Sequence, residues 1–288
     1  MGSLSFKQVD VFTQRPFLGN PVAVVIGAEG LTADDMQRIA AWTNLSETTF
    51  VLPPSSSDAD YRLRIFTPRQ ELSFAGHPIV GSAHAVIESG YALPKNGKLR
   101  QESGAGIIDL TIEATESGKQ IFVKAPAPKI APISRESTAA LARALDVRLE
   151  TAPLRIAVGP VWIVADVGQA EGVAALKPSL EAVARLSEAS QATGVTAFGR
   201  ATDGVSALHV RSFAPLLGIP EDPVCGSGNA SVAAYLIHTG ELNNFGSRYM
   251  ARQGMQLGRD GRIAVRVDGD SIAIGGYAVT CVDGTLGI

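Results

Sequence analysis

The first part of the chain changes from a strand pattern to a helix pattern. Residues 6–12 alternate apolar and polar side chains, which predicts a half-buried β-strand. Further on, Thr32 stands where a helix N-cap is expected, and Met36 and Ile39 follow at helical spacing. We therefore predict a helix from Thr32 to Ala41.

Two later segments have apolar side chains almost all round, which is typical of a helix buried on every side. The first runs from Ile79 to Ser89 and stops at Gly90, and the second runs from about Ala230 to His238. Strand patterns surround them. We predict strands near residues 50–52, 61–66, 107–114, 120–125, 154–158, 162–165, 208–213, 263–267 and 277–282.

Prolines at positions 126, 128 and 132 interrupt both periods, because proline ends helices and weakens central strands. We place the boundary between two halves here, with an N-terminal domain over 1–125 and a C-terminal domain over 126–288. The C-terminal strand could also pair with strands of the first domain. Helices near 136–145 and 180–186 complete the prediction for the second half.

The two halves share a repeated motif. Residues 74–83 match residues 224–233 with a constant shift of 150, so that Gly76 aligns with Gly226 and His77 aligns with Ser227. Upstream, Phe66 is echoed by Phe213 at a shift of 147, so the second copy carries three extra residues. This duplication indicates two similar half-molecules, whose helix starts we expect to face a shared cleft.

A glycine-rich turn that opens a helix leaves backbone N–H groups without partners at the positive end of the helix dipole. Such a site binds a carboxylate or a phosphate without lysine or arginine. The simpler alternative is that Gly76 and Gly226 only permit tight turns. The duplication, with a polar side chain after each glycine, favours a functional site.

The two copies differ in side chains that could carry chemistry. The second copy has Asp222 where the first has Leu72, and it has Cys225 where the first has Ala75. A thiol beside a helix N-terminus is expected to have a lowered pKa. Glu47 lies between the first helix and an apolar strand, and from the pattern alone it would be expected to be a solvated residue at a strand edge.

The amino-acid composition argues against several classes of function. The chain has 288 residues, 45% hydrophobic and 18% charged, which is typical of a globular protein with two domains. A net charge of −3 and the lack of a Lys/Arg-rich run argue against nucleic-acid binding. No apolar stretch near the start suits a membrane span or a secretory signal, and only two cysteines are present. We expect a cytoplasmic protein with no nucleic-acid or membrane partner.

Three segments together resemble the PhzF-type isomerases of phenazine biosynthesis and their homologues. They are residues 44–48 (NLSET), 74–78 (FAGHP) and 221–229 (EDPVCGSGN), and 9–12, 19–21, 253–254 and 258–259 also match. The resemblance implies an α+β fold like that of diaminopimelate epimerase. In that fold two similar domains each wrap a curved mixed sheet, or barrel, around one central helix, and the active site lies between the domains.

The resemblance also implies roles for individual residues. Glu47 would be the acid/base that takes a proton from one carbon of a small carboxylated substrate and returns it to another. The implied catalytic set is Glu47, His77, Asp222 and Ser227, and the implied substrate-binding set is Ser46, Gly76, Gly226 and Gly228. No metal or organic cofactor would be needed, and a homodimer is expected.

Two other functions remain open. A thiol-dependent amino-acid racemase or epimerase needs two opposed cysteines, and Ala75 removes one of them. The related epimerases carry a catalytic thiol at the position of Cys225, where phenazine-pathway members more often have threonine. The other alternative is a binding protein for small acids that has lost turnover, against which the complete set of four implied catalytic residues argues.

Overall fold

A computed structural model describes residues 2–149 and 151–288, and in it the chain divides into two compact units. Unit 1 comprises the residues up to Lys124 together with Gly275–Ile288, and unit 2 comprises Ala125–Ile274. The C-terminal strand therefore belongs to the first unit. None of the helices in the described residues is long and apolar enough to cross a membrane.

Unit 1 is built mainly from strands with two helices. Its elements are β1 (Ser3–Val11), β2 (Asn20–Ile26), α1 (Ala33–Thr43), β3 (Thr48–Leu52), β4 (Tyr61–Phe66), β5 (Glu71–Leu72), α2 (Gly76–Glu88), β6 (Lys98–Ser103), β7 (Gly106–Thr115) and β8 (Gly118–Lys124), with β18 (Ala278–Gly287) from the C-terminal segment.

Unit 2 repeats this plan with two more helices. Its elements are β9 (Lys129–Pro132), α3 (Arg135–Leu145), β10 (Leu154–Ala157), β11 (Val161–Gln169), α4 (Ala170–Ala175), α5 (Leu180–Ala189), β12 (Gly194–Arg200), β13 (Leu208–Ala214), β14 (Ile219–Asp222), α6 (Gly226–Thr239), β15 (Arg248–Gln253), β16 (Gly261–Asp268) and β17 (Ser271–Gly276), the last of which crosses the boundary at Gly275.

The strands of the two units are connected in the same way. In unit 1, β1–β2 is antiparallel, β2–β3 parallel, β3–β4 antiparallel and β4–β6 parallel. In unit 2, β10–β11, β11–β12, β12–β13 and β13–β15 repeat that order. The register is kept as well. Tyr61 pairs with Gln101 in unit 1, and the equivalent residues in unit 2, Leu208 at a shift of 147 and Ala251 at a shift of 150, pair with each other. The duplication inferred from the motif thus extends through the strands of both units.

Each unit has one central helix, as the apolar patterns predict. Helix α2 contacts strands β1, β2, β3, β4, β8 and β18, and ten of its residues are buried. Gly81 makes this packing possible, because a Cβ there would lie 2.4 Å from a methyl group of Val22. Helix α6 contacts β10, β11, β12 and β16 and is buried to a similar extent.

The outer helices begin and end where local signals place them. Thr32 caps α1 through a reciprocal capping box with Asp35. The left-handed Asn44, with φ of 55°, ends the helix. The apolar face of α1, represented by Met36 and Ala40, packs against the apolar side chains of β2 and β3.

Some predicted boundaries are wrong. Helices α2 and α6 begin at Gly76 and Gly226, not at Ile79 and Ala230, so each glycine belongs to the first helical turn. The proline-rich segment is not only a linker, because β9 forms at its end and pairs antiparallel with β10. The pattern also missed α4 and the strands β2, β5, β6, β12, β14, β15 and β17. The short α4 has too few residues to show a helical period.

Candidate active site

The two repeated motifs form the N-terminal ends of the central helices. Ala75 is the N-cap of α2 and Cys225 is the N-cap of α6, so His77 and Ser227 are both the second residue of a helix. The first N–H groups of a helix have no partner within it and carry the positive end of its dipole. Each unit therefore presents one helix terminus that suits an anion.

Glu47 lies in unit 1, between the end of α1 and the start of β3. Its backbone carbonyl accepts a hydrogen bond from Ala23 N at 3.4 Å, which fixes the segment against β2. Its side chain is only 13% exposed. The expectation from the pattern alone, a solvated glutamate, is wrong.

Burial changes the acid strength of Glu47. Loss of hydration disfavours the charged carboxylate and raises the pKa of Glu47 from 4.5 to about 7, although a hydrogen bond with the Ser46 side chain acts in the opposite direction. A carboxyl group with a pKa near neutrality can both accept and donate a proton at working pH. Glu47 therefore has the property that an acid/base residue requires.

His77 is the polar group next to this carboxyl. Its Nε2 lies 3.3 Å from Glu47 Oε2, and its side chain is 8% exposed. On the other side of the ring, Asn20 Nδ2 lies 3.4 Å from His77 Nδ1. Because an amide nitrogen only donates, this orientation of Asn20 assigns the accepting role to Nδ1 and the ring proton to Nε2, the nitrogen that lies 3.3 Å from Glu47 Oε2.

Asn20 is itself held in place by the connection between β1 and β2. The N–H of Gly19 donates to Asp10 Oδ2 at 2.9 Å. A Cβ at Gly19 would lie 2.2 Å from the Val11 carbonyl oxygen, so only glycine fits there. The backbone that carries Asn20 is thus fixed from both sides.

Asp222 lies in unit 2, at the end of β14. Its Oδ1 accepts from Val224 N at 3.1 Å, and its carbonyl accepts from Gln253 Nε2 at 2.9 Å. Asn229 Nδ2 donates to Gln253 Oε1 at 3.0 Å and to the Cys225 carbonyl at 2.9 Å. This buried network ties the loop before α6 to the helix and to β15.

The pKa of the Cys225 thiol differs from the sequence-based expectation. Burial raises the pKa of the Cys225 thiol well above its usual value, and the negative charge of Asp222 raises it further. The Sγ atom accepts the N–H of Gly228 at 3.3 Å and so caps the helix. The prediction of a lowered thiol pKa is therefore wrong, because desolvation outweighs the helix terminus.

Ser227 completes the turn in unit 2. Its Oγ accepts a hydrogen bond from Trp162 Nε1 at 3.0 Å and lies 3.6 Å from Cys225 Sγ. Gly228 is required by packing, since a Cβ there would lie 2.5 Å from Ser212 Oγ. The serine hydroxyl is therefore held by buried groups.

The site residues fall into two groups, one in each unit. The structure brings Ser46, Glu47, Gly76 and His77 together in unit 1, and Asp222, Gly226, Ser227 and Gly228 together in unit 2. Sequence reasoning gave no role to Asn20, Gln253 or Trp162. Asn20 and Gln253 lie in segments that match the family, which was the available signal. In the described residues no group of three or more His, Cys, Asp or Glu side chains is placed to hold a metal ion.

Comparison with known proteins identifies the family. The model of the PhzC-PhzF family, described as phenazine biosynthesis-like protein, matches residues 9–284. The chain belongs to this family. The resemblance stated from the sequence is thereby confirmed.

Relatives of this PhzF-family protein cover its whole length. It is 42% identical to antisense-enhancing sequence 1 of Schizosaccharomyces pombe, with 97% of each chain covered. It is 32% identical to the trans-2,3-dihydro-3-hydroxyanthranilate isomerase of Pseudomonas chlororaphis, with 96% of this chain and 97% of that protein covered. The prediction that the PhzF-family protein is an isomerase is confirmed.

Solved structures agree on the fold. A PhzF-family protein from Bacillus anthracis superposes with a TM-score of 0.87 at 29% identity, over 100% of both chains. A hydroxyproline epimerase from Agrobacterium vitis shares the fold alone, with a TM-score of 0.63 at 16% identity over 99% of this chain and 92% of that one. The predicted epimerase-like α+β fold is confirmed.

Proposed function

We propose that this PhzF-family protein is a cofactor-independent isomerase that moves a proton between two carbons of a small carboxylated substrate, with Glu47 as the acid/base. The observation that carries the proposal is the pairing of two properties. Burial raises the pKa of Glu47 to about 7, and its carboxyl lies 3.3 Å from His77 Nε2.

The reaction balances without a further reagent. The Glu47 carboxylate takes a proton from one carbon, and the electron pair of that C–H bond shifts into the neighbouring unsaturated system. The Glu47 carboxyl then returns the proton to a second carbon as the double bond moves. The Nε2–H of His77 stabilises the carboxylate while it is charged.

The remaining residues are proposed to hold the substrate. Donors to its carboxylate would be the backbone N–H of Gly226 in unit 2, and the backbone N–H of Gly76 with the Ser46 hydroxyl in unit 1. Gly228 does not fit this role, because its N–H already donates to Cys225 Sγ. Asp222 and Ser227 would contact the substrate's polar groups, its carboxylate included, or assist proton movement.

The name of the Pseudomonas chlororaphis relative suggests the class of substrate. We propose an unsaturated carboxylic acid of the dihydro-hydroxyanthranilate type, in which a C–H bond lies next to a double bond. We further propose that the protein acts as a homodimer in the cytoplasm. Light scattering on the purified protein tests the dimer.

The decisive experiment is Glu47→Gln in deuterated buffer with a panel of such acids. We expect solvent deuterium incorporation into substrate, followed by NMR, to fall by about 10³-fold, since general acid–base catalysis contributes factors of this order. Glu116→Gln is the matched control, because Glu116 is exposed in the β7–β8 turn. Unchanged exchange in Glu47→Gln would show that the acid/base assignment is wrong.

The same assay separates the two alternatives. The raised thiol pKa of Cys225 and the alanine at position 75 argue against a thiol racemase, which requires Cys225→Ala to abolish turnover. A binding protein without turnover would retain the acid and exchange none of its hydrogens.

A further inference from the structure

Trp162 has a contact that no part of the proposed reaction explains. It lies on β11, is 3% exposed, and its only polar atom donates to Ser227 Oγ at 3.0 Å. Ser227 is 65 residues away in the chain and is one of the implied site residues. The tryptophan thus connects the sheet of unit 2 to the start of α6.

The position of the indole is fixed by its surroundings. Trp162 pairs with Ile156 on β10 and with Gly194 on β12. A Cβ at Gly194 would lie 2.9 Å from Trp162 Cζ3 and 2.0 Å from the Phe213 carbonyl oxygen. Because Gly194 has no side chain, the indole ring fills this space and cannot turn its N–H elsewhere without breaking the packing.

The chemistry of the two partners sets the direction of the hydrogen bond. An indole N–H can only donate, whereas a serine hydroxyl has one proton and two lone pairs. The contact with Trp162 occupies one lone pair of Ser227 Oγ. The serine proton must then point away from the indole, where Cys225 Sγ at 3.6 Å is a long and weak acceptor.

We infer that Trp162 is a positioning residue that makes Ser227 a hydrogen-bond donor at the start of α6, and thereby selects a carboxylate over a carboxamide. The inference rests on the proposed function, in which this helix start binds the substrate's carboxylate. A carboxylate oxygen is a stronger acceptor than the sulfur atom and takes the serine proton when it binds. A carboxamide oxygen is an uncharged and weaker acceptor of that proton, and the N–H₂ group can use only the one lone pair of Ser227 Oγ that Trp162 leaves open.

The hydrogen bond itself is tested by NMR of the indole groups. The chain has two tryptophans, so an indole ¹⁵N spectrum contains one reference signal from Trp42, which is 78% exposed. In Ser227→Ala we expect the Trp162 N–H signal to move upfield and its hydrogen exchange to change, with the Trp42 signal unmoved. A Trp162 signal that does not respond would overturn the inference.

Selectivity is tested by calorimetry with 3-hydroxyanthranilate and its carboxamide as probes. We expect Trp162→Phe, which keeps a ring and loses the N–H, to lower the preference for the acid about fivefold, and Ser227→Ala to lower it about tenfold. The double variant should lose about tenfold, not fiftyfold, because both act through one hydroxyl. Trp42→Phe is the matched control and should behave as the unaltered protein.

The outcomes distinguish this inference from the proposed function. Losses that multiply in the double variant, or an unaltered protein without preference for the acid, would contradict a role of Trp162 through Ser227. A protein that binds the acid with this coupling but exchanges none of its hydrogens would instead contradict the proposed isomerase and leave Trp162 as the determinant of acid binding.

Discussion

The starts of α2 and α6 share one backbone plan and differ in almost every side chain. In α2 the N-cap is Ala75, and His77 faces Glu47. In α6 the N-cap is Cys225, and Ser227 accepts from Trp162. The duplicated scaffold has kept the helix terminus in both units, whereas the contact between a buried glutamate and a histidine at the helix start is found, among the described residues, in unit 1 alone.

Proline explains one of these differences. The Sγ atom of Cys225 accepts the N–H of Gly228, the third residue of α6. The third residue of α2 is Pro78, which has no N–H to donate. A capping side chain at position 75 would therefore lack this partner and could reach only the N–H of His77, so an alanine N-cap costs less here than it would in α6.

An arginine–glutamate ion pair is also repeated in the two units, and the two copies differ in how deeply they are buried. Arg64 pairs with Glu71 in unit 1, and Arg211 pairs with Glu221 in unit 2, each through two hydrogen bonds. Each guanidinium also lies over the phenylalanine two residues along its strand. The side chains are 22% and 42% exposed in the first pair, but 6% and 9% in the second. The same ion pair is thus a surface feature in one unit and a core feature in the other.

The largest effect on stability is expected when the glutamate of each ion pair is replaced. Glu221→Gln leaves the Arg211 guanidinium charged and buried without its counter-ion, which should lower the free energy of unfolding by about 3 kcal/mol. Glu71→Gln removes the exposed partner and should cost about 0.5 kcal/mol. Urea unfolding of the two variants measures both. Equal losses would show that burial does not distinguish the pairs.

The next prediction concerns the stability cost of Glu47. Its pKa is raised from 4.5 to about 7, so the folded protein binds this proton more tightly than the unfolded chain does. Between these pH values the folded state holds more protons, and its stability must fall as the pH rises. The loss at pH 8 is on the order of 3 kcal/mol.

Urea unfolding of the unaltered protein and of Glu47→Gln at pH 4.5 and pH 8 tests this. The difference in unfolding free energy between the two proteins should grow in favour of Glu47→Gln as the pH rises. Glu116→Gln, in an exposed turn, should follow the unaltered protein at both values. A pH-independent difference would mean that Glu47 titrates alike in the folded and unfolded states.

A smaller effect should separate the two second-position residues of the helices. If the proposed function holds, His77→Ala should lower kcat about 10²-fold, because it removes the donor that stabilises the Glu47 carboxylate during proton transfer. Ser227→Ala should mainly raise KM, by about tenfold, since it removes a substrate contact. Steady-state kinetics give both constants. If the two variants change kcat and KM in the same way, the two helix starts do not have different roles.

The smallest effect concerns the N-caps. Cys225→Ala should cost about 1 kcal/mol of stability by removing the Sγ acceptor of the Gly228 N–H. Ala75→Ser should gain less than about 0.5 kcal/mol, because Pro78 offers no N–H to the new hydroxyl. Thermal unfolding resolves changes of this size. A gain of a full kcal/mol at position 75 would refute the explanation by proline.

Local signals were enough to predict much of the fold. Thr32 marked the start of α1 correctly, and the repeat at a shift of 150 located both central helices. The helix starts were misplaced by three or four residues because glycine is read as a turn residue, although here it permits close packing and leaves N–H groups open. Buried strands such as β12 lack the alternation that identifies half-buried ones.

The site was less accessible to sequence reasoning, because its contacts join distant segments. Asn20 and His77 are 57 residues apart, and Trp162 and Ser227 are 65 apart. Nothing near Trp162 marks it as more than a core aromatic residue. Glu47 was identified through the family resemblance, since its burial depends on the folded chain around it.

The pairing of β18 with β1 has a consequence for synthesis on the ribosome. The register runs from Ser3 opposite Gly287 to Val11 opposite Ala278, so unit 1 needs strands from both sides of unit 2 in the chain. Unit 2 is translated as one continuous segment and can fold before the final strand emerges. The unit that holds Glu47 must wait with an open edge on β1 until translation reaches β18. The surroundings of Glu47 are then complete only after the whole of unit 2 has been translated.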